Sequence, residues 1–197
     1  MLKLFRRYLI NSDEYKHRLN TTNELILYMS AYPNSINERV EQKTPLFWLL
    51  LVIKKWNKNR YTRSAKTHSK HLHLMYELLD FMLTRDADVN AVHDGGVSPI
   101  FVVSDGYTIN RLIEYGANVH HTLWGMGLAC SHAMEGNNEV IEVLAKHTFN
   151  HQSLIANAKY CTVSSSTCYI DVCRSKSLPI DERVIEYLDT GVWPEYL

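Results

Sequence analysis

The sequence predicts an all-α solenoid: stacked helix-turn-helix units joined by short finger loops, with irregular first and last units. Two recurring phrases carry that expectation. The first is a hydroxyl residue, a proline and an apolar run, as Thr44-Pro45-Leu46-Phe47 and again as Ser98-Pro99-Ile100-Phe101. A hydroxyl at a helix N-cap accepts a bond from an orphan amide, and proline at the first helical position loses nothing by lacking an N–H. The second phrase is a helical apolar pattern that runs into a turn. Leu78 to Leu83 leads into Asp86-Ala87-Asp88-Val89-Asn90, and Arg111 to Tyr115 leads into Gly116-Ala117-Asn118-Val119-His120. Gly116 suits a position just past a helix end, where φ is positive. A helical bundle has the same apolar period but no reason to repeat its turns.

Each element follows in order. Residues 1–40 read as an N-terminal helical cap, with Glu24 to Met29 as helix and Asn34-Ser35-Ile36-Asn37 as its closing turn. Residues 41–92 form a unit that opens at Thr44. The next opening, Ser98, lies 54 residues later, where the ankyrin-repeat family, which these phrases resemble, has a period of about 33. The excess of roughly twenty residues is assigned to a basic insertion at about 54–73. Residues 93–121 make a short unit, with its helices trimmed near Asp105-Gly106. Residues 122–155 make a degenerate unit in which Met126 to Cys130 replaces the usual opening and Gly136 separates two helices. Residues 156–197 are a C-terminal capping unit. The whole chain is taken as one domain.

These phrases resemble those of the ankyrin-repeat family. The TPLH-type helix start is matched at Thr44–Phe47 and Ser98–Phe101, and the LLxxGADVN-type helix end at Leu83–Asn90 and Leu112–Val119. Asp94-Gly95-Gly96 stands where that family carries its finger turn. The resemblance covers roughly residues 23–191 and is strongest over 78–121. It implies stacked layers whose apolar side chains are used up in neighbour contacts, leaving finger tips and a shallow concave face for a partner. A partner protein suits such a face better than a small substrate does.

Composition narrows the function classes. The 197 residues carry 21 Lys+Arg against 21 Asp+Glu, so any electrostatic case for nucleic acid or membrane must be local. The longest apolar run, Leu46 to Ile53, is far short of the ~20 residues that span a bilayer. The opening MLKLFRRYLI reads as an amphipathic helix, since Arg6 and Arg7 interrupt a signal-peptide core. Cys130, Cys161, Cys168 and Cys173 have no framework spacing, which fits reduced thiols and a cytoplasmic setting. A monomer is the expected state.

The expected role is non-catalytic protein recognition, by an inhibitor or adaptor that occludes a partner, as in toxin neutralisation or host modulation. The residues assigned to contact are His93 and Asp94 on one finger, His120, His121 and Trp124 on the next, and Asp105 and Glu135 at the ends of first helices. Trp124 is the anchor, because tryptophan is enriched among interface hot spots. The alternative is nucleic-acid binding. Lys54, Lys55, Lys58, Arg60, Arg63, Lys66 and Lys70 lie in a stretch with no acid, interleaved with Trp56 and Tyr61. Basic charge with aromatics is a single-strand signature. With these seven cations set aside, the rest of the neutral chain carries a net charge of minus seven. No cofactor or metal is expected, since no paired CxxC or HExxH occurs, and no enzyme signature is found.

Overall fold

The computed structural model describes residues 15–58, 64–123 and 126–146, with Arg174, Glu186 and Thr190 beyond them. The N-terminal segment 1–14 and the capping unit 156–197 therefore lie outside the described residues, isolated positions apart. The described chain is mostly helical, as the all-α expectation requires. It divides into two compact units. One holds the residues up to Val103 together with Arg111–Ala117; the other holds Ser104–Asn110 and the residues from Asn118 onward.

In the first unit, α1 spans Tyr15–Ala31. Its buried positions, Arg18, Thr21, Thr22, Leu25 and Met29, recur at helical spacing and define one inward stripe. A 3-10 turn, Pro33–Ile36, follows. Helix α2 spans Pro45–Lys58. Thr44 caps it as the phrase predicts, its hydroxyl accepting the Phe47 N–H at 3.4 Å. Helix α3 spans Ala65–Leu83, capped by the Ser64 hydroxyl on the Thr67 N–H at 3.2 Å. Both α1 and α2 pack on α3. The core is Leu46, Leu49, Leu50 and Ile53 of α2 against Met75, Leu78, Leu79 and Met82 of α3. The basic insertion is built largely as helix. The described part of 54–73 is helix up to Lys58 and again from Ala65, so much of the extra length extends the two helices. Lysine is a good helix former, and the apolar stripe runs on to Trp56 in α2 and starts at His71 in α3.

The second hydroxyl–proline phrase behaves differently from the first. Pro99–Val102 is a single 3-10 turn, and Ser98 is buried without a capping bond. Val103 is extended, and a new helix, α4, begins at Gly106 and ends at Glu114. The β-branched pair Val102-Val103 and the Asp105-Gly106 pair stop the first turn from propagating. The second unit continues with a hairpin, β1 (Thr122–Leu123) and β2 (Met126–Gly127), then α5 (Leu128–Met134) and α6 (Asn138–Lys146).

The turns after α3 and α4 have the same construction. After α3, the Asp86 N–H bonds Leu83 O at 3.2 Å and the Ala87 N–H bonds Met82 O at 3.1 Å. After α4, Gly116 bonds Ile113 O at 3.0 Å and Ala117 bonds Leu112 O at 2.9 Å. This is the Schellman arrangement. Two residues on, a side chain closes the same Asx turn: Asp88 Oδ1 accepts the Asn90 N–H at 2.9 Å, and Asn118 Oδ1 accepts the His120 N–H at 3.0 Å. Asparagines link the joints in series. Asn37 Nδ2 donates to Asp86 O and Asn37 Oδ1 accepts the Asp88 N–H, at 2.9 and 2.7 Å. Asn90 Nδ2 donates to Gly116 O at 2.9 Å, the position equivalent to Asp86.

The equivalence predicts opposite signs for two substitutions. Asp86 has φ +59 and Gly116 φ +82, a region that costs an L-residue roughly 1–2 kcal/mol. Asp86→Gly should therefore stabilise by about 0.5–1 kcal/mol once glycine's extra chain entropy is offset. Gly116→Ala should destabilise by about 1 kcal/mol, with no steric term, because a Cβ there meets nothing within 4 Å. Urea midpoints at unchanged slope measure both; two changes of the same sign would break the equivalence.

Candidate functional site

Three short fingers precede helical segments. In the first, Val40 and Lys43 exchange backbone bonds at 2.9 and 3.1 Å around Glu41 and Gln42, both at positive φ. That is the turn whose twist suits a hairpin, made here without glycine. Its conformation is held from α2, where Trp48 Nε1 donates to Val40 O at 3.0 Å and the Lys43 ammonium lies 5.2 Å from the Trp48 ring centre. In the second finger, the His93 N–H bonds Val97 O at 2.9 Å and the Gly96 N–H bonds His93 O at 3.0 Å. Gly95 and Gly96 both take positive φ, which the turn requires. Arg39 Nη2 of the first finger donates to Val92 O of the second at 2.8 Å. The third finger, in the other unit, is the β1–β2 hairpin with Leu123 opposite Met126.

The structure places the expected contact residues unevenly. Asp94, His120 and Glu135 are exposed, and His121 is half-buried. Glu135 directly follows α5, and its carboxylate accepts from Asn137 Nδ2 at 3.0 Å. Trp124 lies outside the described residues.

His93 is corrected: it is 5% exposed and points inward. Its ring centre lies 4.0 Å from that of Phe47, and Nδ1 lies 3.1 Å from Gln42 O. The carbonyl accepts, so Nδ1 carries the proton of the neutral ring. Burial holds the His93 pKa below its usual value of 6.5; the Gln42 bond and Asp94 oppose that, while Arg39 and Lys43 add to it.

Asp105 is corrected as well. It does not end a helix on an exposed groove but begins α4, at 7% exposure. Its carboxylate accepts the Thr108 N–H at 2.8 Å and the Thr108 hydroxyl at 3.0 Å. The adjacent Gly106 N–H donates to the Glu139 carboxylate at 3.3 Å, so two acids serve one helix N-terminus, where negative charge is favoured.

The basic stretch presents Lys55, Lys58, Lys66 and Lys70 as exposed side chains and Lys54 as half-buried. Arg60, Arg63 and Tyr61 lie outside the described residues. Trp56 is corrected from a base-stacking surface to core: it is 3% exposed. Its ring stacks on His71 with centres 4.5 Å apart, and the Arg18 guanidinium lies 5.1 Å from its centre.

Sequence reasoning missed two cations that organise the first unit. Arg39 ties two fingers together. Arg111 Nε donates to Asp80 of α3 at 2.7 Å, and Nη1 bonds Glu114 one turn along α4. Those two carboxylates raise the Arg111 pKa, Asp80 most strongly. The i,i+3 spacing of Arg111 and Glu114 was a readable signal; the Asp80 partner was not.

Among the described residues, no group of three or more His, Cys, Asp or Glu is arranged to hold a metal ion. No described helix is long and apolar enough to cross a membrane. No family model, no curated protein and no solved structure matches this chain.

Proposed function

We propose that the chain is an ankyrin-type repeat protein that binds another protein and covers that partner's working surface, without catalysing a reaction. The serial joints carry this reading: Asn37 to Asp86, then Asn90 to Gly116, each an asparagine of one turn bonded to the matching carbonyl of the next. A non-repetitive bundle has no cause to reproduce a turn together with its linking side chain. In a repeat array the apolar residues are used between layers, so recognition falls to what remains outside. Here that is the finger tips, with Asp94 and His120 exposed and Trp124 as the anchor named from sequence. Inhibition is favoured over scaffolding, with the cytosol as the setting and a single copy as the working form.

The test is capture from native cytosol on the immobilised full chain, beside a variant carrying Asp94→Ala, His120→Ala and Trp124→Ala. A partner retained by the first and lost by the second, at an unchanged thermal midpoint, supports the reading. A partner held equally by both removes the fingers from it. The lysine-bearing ends of α2 and α3 supply the second reading, nucleic-acid binding. Neutralising several phosphates makes affinity fall steeply with salt, so retention on RNA at low salt with such a slope would favour it. With Trp56 buried, any retention would rest on the exposed lysines alone, so we expect it to be weak and to disappear at moderate salt.

A further inference from the structure

We propose that His93 is an acid-released latch: its neutral ring fastens the second finger to the first and to α2, and protonation frees the second finger. The latch is a matter of geometry. The ring sits over Phe47, at the first turn of α2, and donates from Nδ1 to Gln42 O in the first finger. Its other nitrogen, Nε2, is buried, and no hydrogen-bond partner reaches it among the described residues. A neutral lone pair in that place carries a modest desolvation cost, and protonation adds a buried positive charge to it. The second N–H is then a buried donor without an acceptor and bears its full desolvation penalty.

The charged surroundings point the same way. From the first finger, Arg39 and Lys43 face His93 and oppose a positive charge on it. From its own finger, Asp94 favours that charge, but it is exposed and so screened by water. The first turn of α2, Pro45-Leu46-Phe47-Trp48, carries no titratable side chain. The protonated ring therefore gains most by leaving the pocket for water. The finger has the means to let it go: two glycines at positive φ, with His93 on Gln42 O standing beside Arg39 on Val92 O as a tie to the first finger.

Because the folded ring binds its proton more weakly than the unfolded one, the latch holds fully above pH ~6.5 and weakens as pH falls below it. The inference needs no partner, so its test is independent of the recognition reading. The experiment follows the wild-type chain by NMR between pH 7.5 and 5.5. It records the His93 ring titration together with hydrogen exchange at the His93 and Gly96 amides, corrected for intrinsic exchange. Leu79 in α3 is the reference. Protection of the two finger amides should fall by up to roughly tenfold per pH unit below the ordinary histidine value, while Leu79, which exchanges only when the whole unit opens, stays the more protected throughout and loses no more than that same factor. In His93→Gln the finger amides should lose this dependence. The latch is overturned if the ring titrates at or above 6.5, or if it protonates while both finger amides stay protected. It is overturned equally if His93→Gln retains the wild-type dependence. Should that variant fail to fold, the wild-type ring and amide data decide alone.

Discussion

Replacing Trp56 with alanine is expected to cost about 3–5 kcal/mol, the range for deleting a large buried aromatic ring. Two terms add. The first is the cavity left where a 3% exposed indole closes the far end of the α2–α3 pair. The second is electrostatic: the Arg18 guanidinium, itself buried, loses the aromatic face at 5.1 Å that offsets part of its desolvation. The indole N–H contributes less, since its bond to His68 O is long at 3.4 Å. Trp56→Phe should recover over half of the loss, because it refills most of the space and restores an aromatic surface. Urea unfolding at constant slope reads both variants. A loss under about 1 kcal/mol for Trp56→Ala, typical of a surface change, would mean that the ring is solvent-facing and free to stack on a base.

That outcome separates what the sequence made legible from what it hid. The hydroxyl–proline start at Thr44 and the turn endings after α3 and α4 were legible because they act locally, whereas the second such start, at Ser98, yields only a 3-10 turn without a cap. A cap, a left-handed residue and an Asx turn are decided by four or five neighbours, and the structure builds Thr44, Gly116 and Asp88 as those rules require. Trp56 was misread because its neighbours are lysines, yet helical phase held the answer. Leu49, Val52, Ile53 and Trp56 recur at intervals of three and four, so the inward stripe of α2 carries Trp56 with it while Lys54, Lys55 and Lys58 fall largely to its flanks.

His93 was misread for a related reason. A finger treated as one exposed loop has no inside, but an extended strand has two faces. Ala91 and His93 are buried while Val92, between them, is 45% exposed. Period-two alternation was the available signal. Asp105 had the D-x-x-T spacing to Thr108 that marks a helix start, and the following Gly106 made it read as a helix end instead. What no local rule could supply was pairing between distant segments: Arg39 with Val92, Arg111 with Asp80, and Asn37 with Asp86. Each needs the folded register before the partner can be named.

Phe47→Ala is the second large effect, with an expected loss of about 3–5 kcal/mol from a side chain buried in the first turn of α2. Its interest lies in a second readout. Burial is the leading cause of the lowered His93 pKa, and the Phe47 ring, 4.0 Å away and tilted by 46°, is the apolar wall on one side. Removing that wall admits water beside the imidazole. The His93 pKa should then rise toward 6.5, and the part of the stability that disappears on acidification should shrink with it. The sign is fixed by linkage: with folded and unfolded pKa values closer together, the two states bind more nearly equal numbers of protons below pH 6.5. Phe47→Leu, which keeps most of the wall, should cost less and leave the titration close to wild type. Denaturation at pH 7.5 and 5.5, with the His93 ring followed by NMR, measures both quantities. If stability falls by several kcal/mol while the titration does not move, the desolvation of His93 comes from the fingers themselves and not from α2.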